Sequence, residues 1–439
     1  MRRSINFWVV GTFFFVGTGA LAQAPNPNLA TLDGAVRQVL ARHPDILAAR
    51  QRVLQAELHL AGVRSLPNPE LDIGYSKNLD SIGAGATGQD IQLTQRLNIF
   101  GPRQALLAQS RMEVEVPRTE LRLVEQDIAY QVRSAWFSLQ SAQATSEFTK
   151  QALGVAETFA RLADAQYKAG DVPIANVLRS EFEAENARQA LLVAETNVKI
   201  QTATLNILLQ QPPDALLSVP ALSGATLKTY DTAALLRGTE QQPRVVSAQA
   251  LLTAQRAKIE VAKSAKRPEA VATYAHNQLL NWLGGDSYRV GVVFPLLDNG
   301  QIRASVREAQ AATTEKEASL ASVRQQVTLD LTTAIYLQEQ ARALVPRTGE
   351  EQLQRALRLY QLAETGYREG ATSYLNVLDA LGVLRSAFQS YLKALADYNI
   401  AEAGLERALG AVLPTPVSTQ SMRYAPPALT PLSQSGKKG

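Results

Sequence analysis

The amino-acid sequence predicts a mainly α-helical protein in which one unit, a β-hairpin joined to very long coiled-coil helices, occurs twice. Three observations lead to this fold class. The chain of 439 residues is 46% hydrophobic but only 6% aromatic, a composition that favours long helices over a β-sandwich. The sequence repeats itself at an offset of about 200 residues. Each copy also contains two short stretches in which apolar and polar residues alternate, as they do in strands.

The first segment of the chain resembles a signal peptide. Arg2 and Arg3 precede an apolar run over residues 5–16, and Ala20-Leu21-Ala22 fits a cleavage site. We therefore expect residues 1–22 to be removed from an exported protein. No later stretch approaches the ~20 apolar residues of a membrane-spanning helix, so a mature chain that crosses a membrane must do so with strands.

The repeat sets the domain organisation. Pro44 and Pro243 are 199 residues apart, as are Gly101 and Gly300, whereas the later pair Gly170 and Gly370 is 200 residues apart. We therefore predict a first repeat over 23–213 and a second over 214–410, with one residue gained in the second copy near 346–349. The segment 212–242 is predicted as an irregular connection and 411–439 as a disordered tail, because both are rich in proline and small polar residues.

Each copy is predicted to begin with a proline-broken helix and to continue through a hairpin into one very long helix. About 66 residues at 1.5 Å per residue give a rod of roughly 100 Å. Leu121, Val124, Ile128 and Val132 are spaced by three and four residues, which is the seam of a coiled coil. The predicted helices are 32–65, 103–168 and 174–209 in the first copy, and 232–266, 301–368 and 373–409 in the second.

The hairpins are predicted to pair Glu70–Lys77 with Asp90–Leu97, and Glu269–Asn277 with Ser287–Leu296. Their alternating pattern fits an outer-membrane barrel, but a soluble antiparallel sheet shows the same alternation. Four strands cannot close a barrel, and an open edge in lipid leaves backbone groups unpaired. If the sheet is membrane-embedded, a homotrimer forming a 12-stranded β-barrel on a ~100 Å α-helical barrel would close it.

Composition excludes several functions. The chain contains no cysteine and only three histidines, His43, His59 and His276, which lie far apart. We therefore expect no disulfide, no resident metal and no cofactor. P-loop, H-E-x-x-H and G-x-S-x-G patterns are missing from the sequence, so no enzymatic activity is expected. The net charge of +4, with basic and acidic residues interleaved, gives no reason to expect nucleic-acid binding.

Several repeated motifs resemble those of the TolC-like outer-membrane efflux protein family. The most specific are the two turns, Tyr167-Lys-Ala-Gly170 followed by Asn176-Val177-Leu178, and Tyr367-Arg-Glu-Gly370 followed by Asn376-Val377-Leu378. The resemblance covers nearly the whole mature chain. The segments Leu66–Leu71 and Phe100–Arg103 look more like the metal-exporting and related resistance branch of the family.

The resemblance implies a homotrimeric, passive exit duct in the outer membrane of a Gram-negative bacterium. It also implies a periplasmic adaptor and an inner-membrane transporter, expected to be of the RND type, as partners. In the family, the Tyr–x–x–Gly turns form the periplasmic tips and acidic residues beyond them ring the entrance. The implied tip residues are Tyr167, Gly170, Tyr367 and Gly370, and the implied entrance residues are Asn176, Arg179, Asn376 and Asp379.

The entrance departs from the family pattern in two ways. Only Asp379 is acidic, since Asn376 is neutral, and Thr372 occupies the position of the family's gate-locking arginine. Rings of Asp379 and Arg179 could set ion selectivity, or both could be ordinary solvated helix charges. Two other functions stay open: an outlet duct for type I protein secretion, and a secreted helical structural or adaptor protein with a small soluble sheet.

Overall fold

The computed structural model describes residues 31–77, 87–97, 102–222, 224–279, 284–294, 298–369 and 371–423. The predicted signal peptide and the end of the predicted tail, 424–439, lie outside them. The first copy contains α1 (Leu32–Arg42), α2 (Pro44–Arg64), β1 (Glu70–Lys77), β2 (Thr87–Leu97), α3 (Pro102–Lys168) and α4 (Ile174–Leu208). The second contains β3 (Gly224–Thr229), α5 (Thr232–Arg237), α6 (Pro243–Ser264), β4 (Glu269–Leu279), β5 (Gly284–Val293), α7 (Gln301–Pro346), α8 (Gln354–Arg368), α9 (Tyr374–Leu409) and β6 (Ser418–Arg423).

The two predicted helix breaks are confirmed, and both have the same local cause. Pro44 and Pro243 occupy the first helical position of α2 and α6, where the missing N–H would have had no partner in the helix. The residue before each proline is extended and caps the new helix. The His43 side chain accepts from the Asp45 N–H at 3.3 Å, and Gln242 Oε1 accepts from the Arg244 N–H at 2.6 Å.

The residue gained by the second copy lies in a π-helical turn. Between α7 and α8 the chain forms this wider turn over Arg347–Leu353, which accommodates an extra residue without ending the helix. Gly349 lies in it, and a Cβ there would come within 2.5 Å of the buried Tyr391 ring. In the first copy, α3 is α-helical throughout.

The long helices form a single wall in which α3 has a central place. The helices α2 and α4 pack along one side of α3, α6 and α9 pack along the other, and α7 with α8 lies beyond them. The predicted seam is confirmed: Ile128 and Val132 are buried, with Leu121 and Val124 partly buried beside them. Burial of this seam against neighbouring helices is what stabilises helices of such length.

A two-stranded sheet of β3 and β6 corrects two predictions. The connection 212–242 is not irregular throughout, and the tail is not disordered over 418–423, because β6 pairs antiparallel with β3. The sheet packs on α9, where Tyr398 Oη accepts from the Lys228 N–H at 2.8 Å and donates to the Thr226 carbonyl at 3.0 Å. Since most of the second repeat separates β3 from β6 in sequence, local composition gave no signal for either strand.

Both predicted hairpins are confirmed, and they join into one antiparallel sheet of order β1-β2-β4-β5. The strand ends differ from the prediction. The second strands begin earlier, at Thr87 and Gly284 rather than Asp90 and Ser287, and β5 ends at Val293 rather than Leu296. The pairing register explains this, because Thr87 is opposite Lys77 and Gly284 is opposite Gln278, so backbone pairing continues into residues whose side chains do not alternate.

Candidate functional site

One face of the four-stranded sheet is mostly apolar, with the hydrogen-bonded pair His276–Asp286 in one of its rows, and the other face is mostly polar. The register aligns Leu71, Leu93, Tyr274 and Tyr288 in one row, and paired residues lie on the same face. The apolar side chains on this face are exposed, at 61% for Leu71, 81% for Tyr288 and 84% for Val290. An exposed apolar sheet face is unusual for a soluble monomer and marks a contact with lipid or protein.

The opposite face carries polar side chains over the same strands. The adjacent row contains Glu70, Thr94, Thr273 and Arg289. Arg96, on this face, lies 3.4 Å from Glu70 and 3.7 Å from Glu269. The sheet therefore matches the pattern of strands that separate an apolar medium from water.

Both the sheet and the helical wall end in unpartnered edges. Among the described strands, β1 and β5 are the outer members of the sheet and each pairs on one side alone. The free flank of α4 exposes Phe182, Val193 and Ile200, and the far flank of α7 exposes Leu329 and Tyr336, all at 55–69%. The two edges have different residues, so one copy offers a different surface on each side.

At the end of α3, the sequence folds into a glycine turn. Gly170 has φ +84°, a left-handed conformation that glycine adopts without steric cost. The Gly170 N–H donates to the Tyr167 carbonyl at 2.9 Å and the Asp171 N–H to the Gln166 carbonyl at 2.9 Å, the bonding of a Schellman motif. After α8, the Ala371 N–H donates in the same way to the Gly366 carbonyl at 2.8 Å. Gly370 lies outside the described residues.

The two repeated tyrosines occupy different environments. Tyr167 is 44% exposed at the end of α3. Tyr367 is half-buried, and its hydroxyl donates to Gln166 Oε1 at 3.3 Å. Burial raises the pKa of the Tyr367 phenol. The structure therefore places one tyrosine on the surface and the other between the two hairpins.

The four candidate entrance residues lie in the first turns of α4 and α9. Asn176 and Arg179 are one turn apart on α4, as are Asn376 and Asp379 on α9, and of the four only Asn176 is partly shielded. The neighbouring Val177 and Val377 are buried, which fixes the faces that these residues present. Within the described part of the chain, neither Arg179 nor Asp379 forms a salt bridge.

Contacts between the α3–α4 hairpin and the α8–α9 hairpin involve residues that sequence reasoning missed. The Phe159 ring of α3 lies 5.7 Å from the Tyr367 ring and 5.2 Å from the Tyr374 ring. Further up the hairpins, Arg385 of α9 lies 3.9 Å from Glu183 of α4. The only available signal was the seven-residue spacing of Tyr367 and Tyr374, which does not identify a partner on another hairpin.

Thr372 does not reach across the entrance. Its hydroxyl lies 3.4 Å from the Ala363 carbonyl of its own hairpin, and its side chain fills the space beside Gly366, where an added Cβ would be 3.0 Å from it. The Thr372 side chain thus closes its own turn. Near this turn, the rings of Phe159, Tyr367 and Tyr374 bring the two hairpins into contact.

Within the part of the chain that the structure describes, no helix is long and apolar enough to cross a membrane. Over those same ranges, no three His, Cys, Asp or Glu side chains come together in a group that could hold a metal ion.

Comparison with known proteins shows a family match and relatives that align over most of their length. The family model described as outer membrane efflux protein matches residues 35–209 and 238–411. The pyoverdine export outer membrane protein OpmQ of Pseudomonas aeruginosa is 23% identical over 86% of this chain and 85% of its own. The cobalt-zinc-cadmium resistance protein CzcC of Cupriavidus metallidurans is 24% identical over 87% of this chain and 90% of its own.

A solved structure has the same fold. The outer membrane protein VceC of Vibrio cholerae superimposes with a TM-score of 0.72 at 17% identity, over 88% of this chain and 99% of that chain. The similarity extends over both repeats.

Proposed function

The chain belongs to the outer membrane efflux protein family, and we propose that three copies of it form the exit duct of a tripartite efflux system. The family and the protomer fold class predicted from the sequence are confirmed. The protein is an outer-membrane efflux channel protein whose helices extend into the periplasm. The proposal adds the number of copies, the partners and the entrance.

One observation carries the proposed trimer: the sheet combines an exposed apolar face with two unpartnered edges. In lipid, each unpaired backbone group at an edge costs several kcal/mol, so the edges must be joined. β1 of one copy would pair with β5 of the next, and the flank of α4 would cover the flank of α7. Such a contact between unlike surfaces closes into a ring when the rotation between neighbouring copies brings the last copy back to the first. Four strands from each of three copies make twelve, which is enough for an aqueous bore.

Transport through this duct would be passive. The polar sheet face, with Asp72, Gln92 and Arg289 on it, would line the bore while the apolar face contacts lipid. No bond is made or broken, so the energy must come from an inner-membrane transporter, which we propose to be of the RND type. A periplasmic adaptor would meet the duct at the tips formed by the turns at Tyr167–Gly170 and Tyr367–Gly370.

The entrance would be held closed by aromatic packing between hairpins, because Thr372 occupies the position of the family's gate-locking arginine. Phe159, Tyr367 and Tyr374 join α3 to the α8–α9 hairpin, and Thr372 takes no part. Opening would separate the Tyr367 ring from Phe159 and widen the entrance beside Asn376 and Asp379, with Asn176 and Arg179 on the neighbouring hairpin.

The assembly can be tested on the purified mature protein. We expect extraction from membranes to require detergent, and native mass spectrometry to give three copies per particle. A protein that stays soluble and monomeric without detergent would refute the duct and favour a secreted helical protein with a soluble sheet.

The entrance can be tested with two tyrosine variants. Tyr367→Ala removes the ring that packs on Phe159, so we expect higher single-channel conductance in planar bilayers and greater sensitivity of cells to large antibiotics. Tyr167→Ala is the matched control for conductance, which is measured without an adaptor, because Tyr167 lies at the equivalent repeat position but is exposed. Equal conductance of the two variants would show that the aromatic cluster does not close the entrance.

A further inference from the structure

A groove of about 660 Å³ lies between α3, α7 and α9, near the junction of α6 and α9. Ala394, Ala401 and Gly404 of α9 line the groove, together with Leu123 of α3 and Leu337 of α7. The volume is in the range that holds a drug-sized organic molecule. A Cβ on Gly404 would meet only the Tyr130 ring, at 3.7 Å, so the groove is open space.

The groove opens on the face of the wall that is opposite the β3–β6 sheet. On α9, Tyr398 and Glu402 bond to Lys228 of β3, whereas Gly404 lies on the other side of the helix. A sheet packed inside a narrow tube would obstruct it, so β3–β6 belongs on the outside. The groove therefore faces the lumen of the duct, and this step rests on the proposed function.

The groove is lined by three carboxylates, Asp127, Asp330 and Asp397, but by only two arginines, Arg244 and Arg407. Asp127 pairs with Arg407 at 2.9 Å and Asp330 with Arg244 at 2.8 Å, so these two pairs are neutral. Among the described residues, the third carboxylate, Asp397, forms an ion pair with Lys393 alone, one turn away on α9 at 2.7 Å, and Lys393 does not line the groove. The lining thus combines apolar surface with one carboxylate that is unmatched within it.

We propose that this groove is a binding site for an amphipathic organic cation of drug size that moves along the inner wall. Its apolar body would cover Ala401, Gly404 and Leu337, and its cationic group would lie at Asp397. A metal ion does not fit this lining, because two of the three carboxylates are already bonded to arginines. An organic anion would meet Asp397 without an unpaired cation nearby.

The binding test uses the full-length trimer in lipid nanodiscs and the fluorescent cation rhodamine 6G, with empty nanodiscs subtracted. We expect saturable binding in fluorescence anisotropy, and at least about tenfold weaker binding of fluorescein, an anion with a similar ring system. Asp397→Asn should raise the Kd for rhodamine 6G about tenfold. Asp164→Asn is the matched control, since Asp164 forms the same kind of pair with Lys168, at 2.7 Å and outside the groove.

Two variants at Gly404 test the location. Gly404→Trp should fill the groove and abolish rhodamine binding. The chain contains no cysteine, so Gly404→Cys provides a unique thiol, and we expect a water-soluble maleimide to label it in the assembled trimer and rhodamine 6G to slow the labelling. Unchanged binding in Gly404→Trp, or a thiol that is covered by a neighbouring copy, would overturn the proposal.

The outcome also separates this inference from the proposed function. Particles that contain fewer than three copies would refute the duct itself. Conducting trimers in which dye binding is absent, or is insensitive to both Asp397→Asn and Gly404→Trp, would refute only the groove.

Discussion

Replacement of Val290 by arginine distinguishes a lipid-facing sheet from a soluble one. Val290 is 84% exposed in the middle of β5, between Tyr288 and Val292 on the apolar face. In water, such an exposed substitution changes stability by no more than about 0.5 kcal/mol. On the lipid face of a barrel, an arginine near the midplane costs about 2–4 kcal/mol.

The expected loss follows from the assembly. At the lower end of that range, three copies of Val290→Arg would destabilise one trimer by about 6 kcal/mol. The assay is urea unfolding of the trimer in lipid, together with the fraction of trimer recovered from outer membranes. Ser287→Arg is the control, because Ser287 lies on the polar face of the same strand, opposite Ala275. A similar small effect of both variants would refute the assignment of the apolar face to lipid.

Three further changes test the helical part of the duct. Gly349→Ala should lower the free energy of unfolding by about 1–3 kcal/mol, because its Cβ would overlap the buried Tyr391 ring. The control for thermal unfolding is Gly154→Ala, since no described atom would lie within 4 Å of the added Cβ. An equal Tm for the two variants would contradict the packing of the π-helical turn. Gly170→Val should leave trimers intact but impair efflux in susceptibility assays, since a β-branched residue is strained at φ +84°. Normal efflux in this variant would argue against a role for this turn in the tip. Burial raises the pKa of Tyr360 from 10.0 to about 12, so its contribution to stability is complete below pH 10 and lost as pH rises through 12. The free energy of unfolding of Tyr360→Phe should therefore fall less between pH 10 and 12 than that of the unmodified protein. An identical fall in both would exclude Tyr360 as its source.

The long helices could be predicted because their signals are local. Pro44 and Pro243 end one helix and begin another by their own chemistry, and the spacing of Ile128 and Val132 marks a seam whatever covers it. The offset between the repeats likewise predicted an extra residue near Gly349, and the π-helical turn is its structural result.

The features that could not be predicted depend on contacts between distant segments. β6 pairs with β3 across most of the second repeat, and β2 pairs with β4 across the whole length of α3 and α4. The tyrosines at 167 and 367 match in sequence, but only Tyr367 faces Phe159. Sequence similarity between repeats therefore identified equivalent positions, whereas the neighbouring hairpin decides which position is buried.

The central claim is that one copy supplies part of a pore wall and that unlike edges of neighbouring copies meet. Because the chain contains no cysteine, a variant with one cysteine on β1 and one on β5, such as Ile73→Cys with Val290→Cys, can be treated in outer membranes with a bifunctional thiol reagent. We expect covalent products of two and three copies on a denaturing gel, with neither single-cysteine variant going beyond two. A product that remains a single chain, from protein that is soluble without lipid, would contradict it.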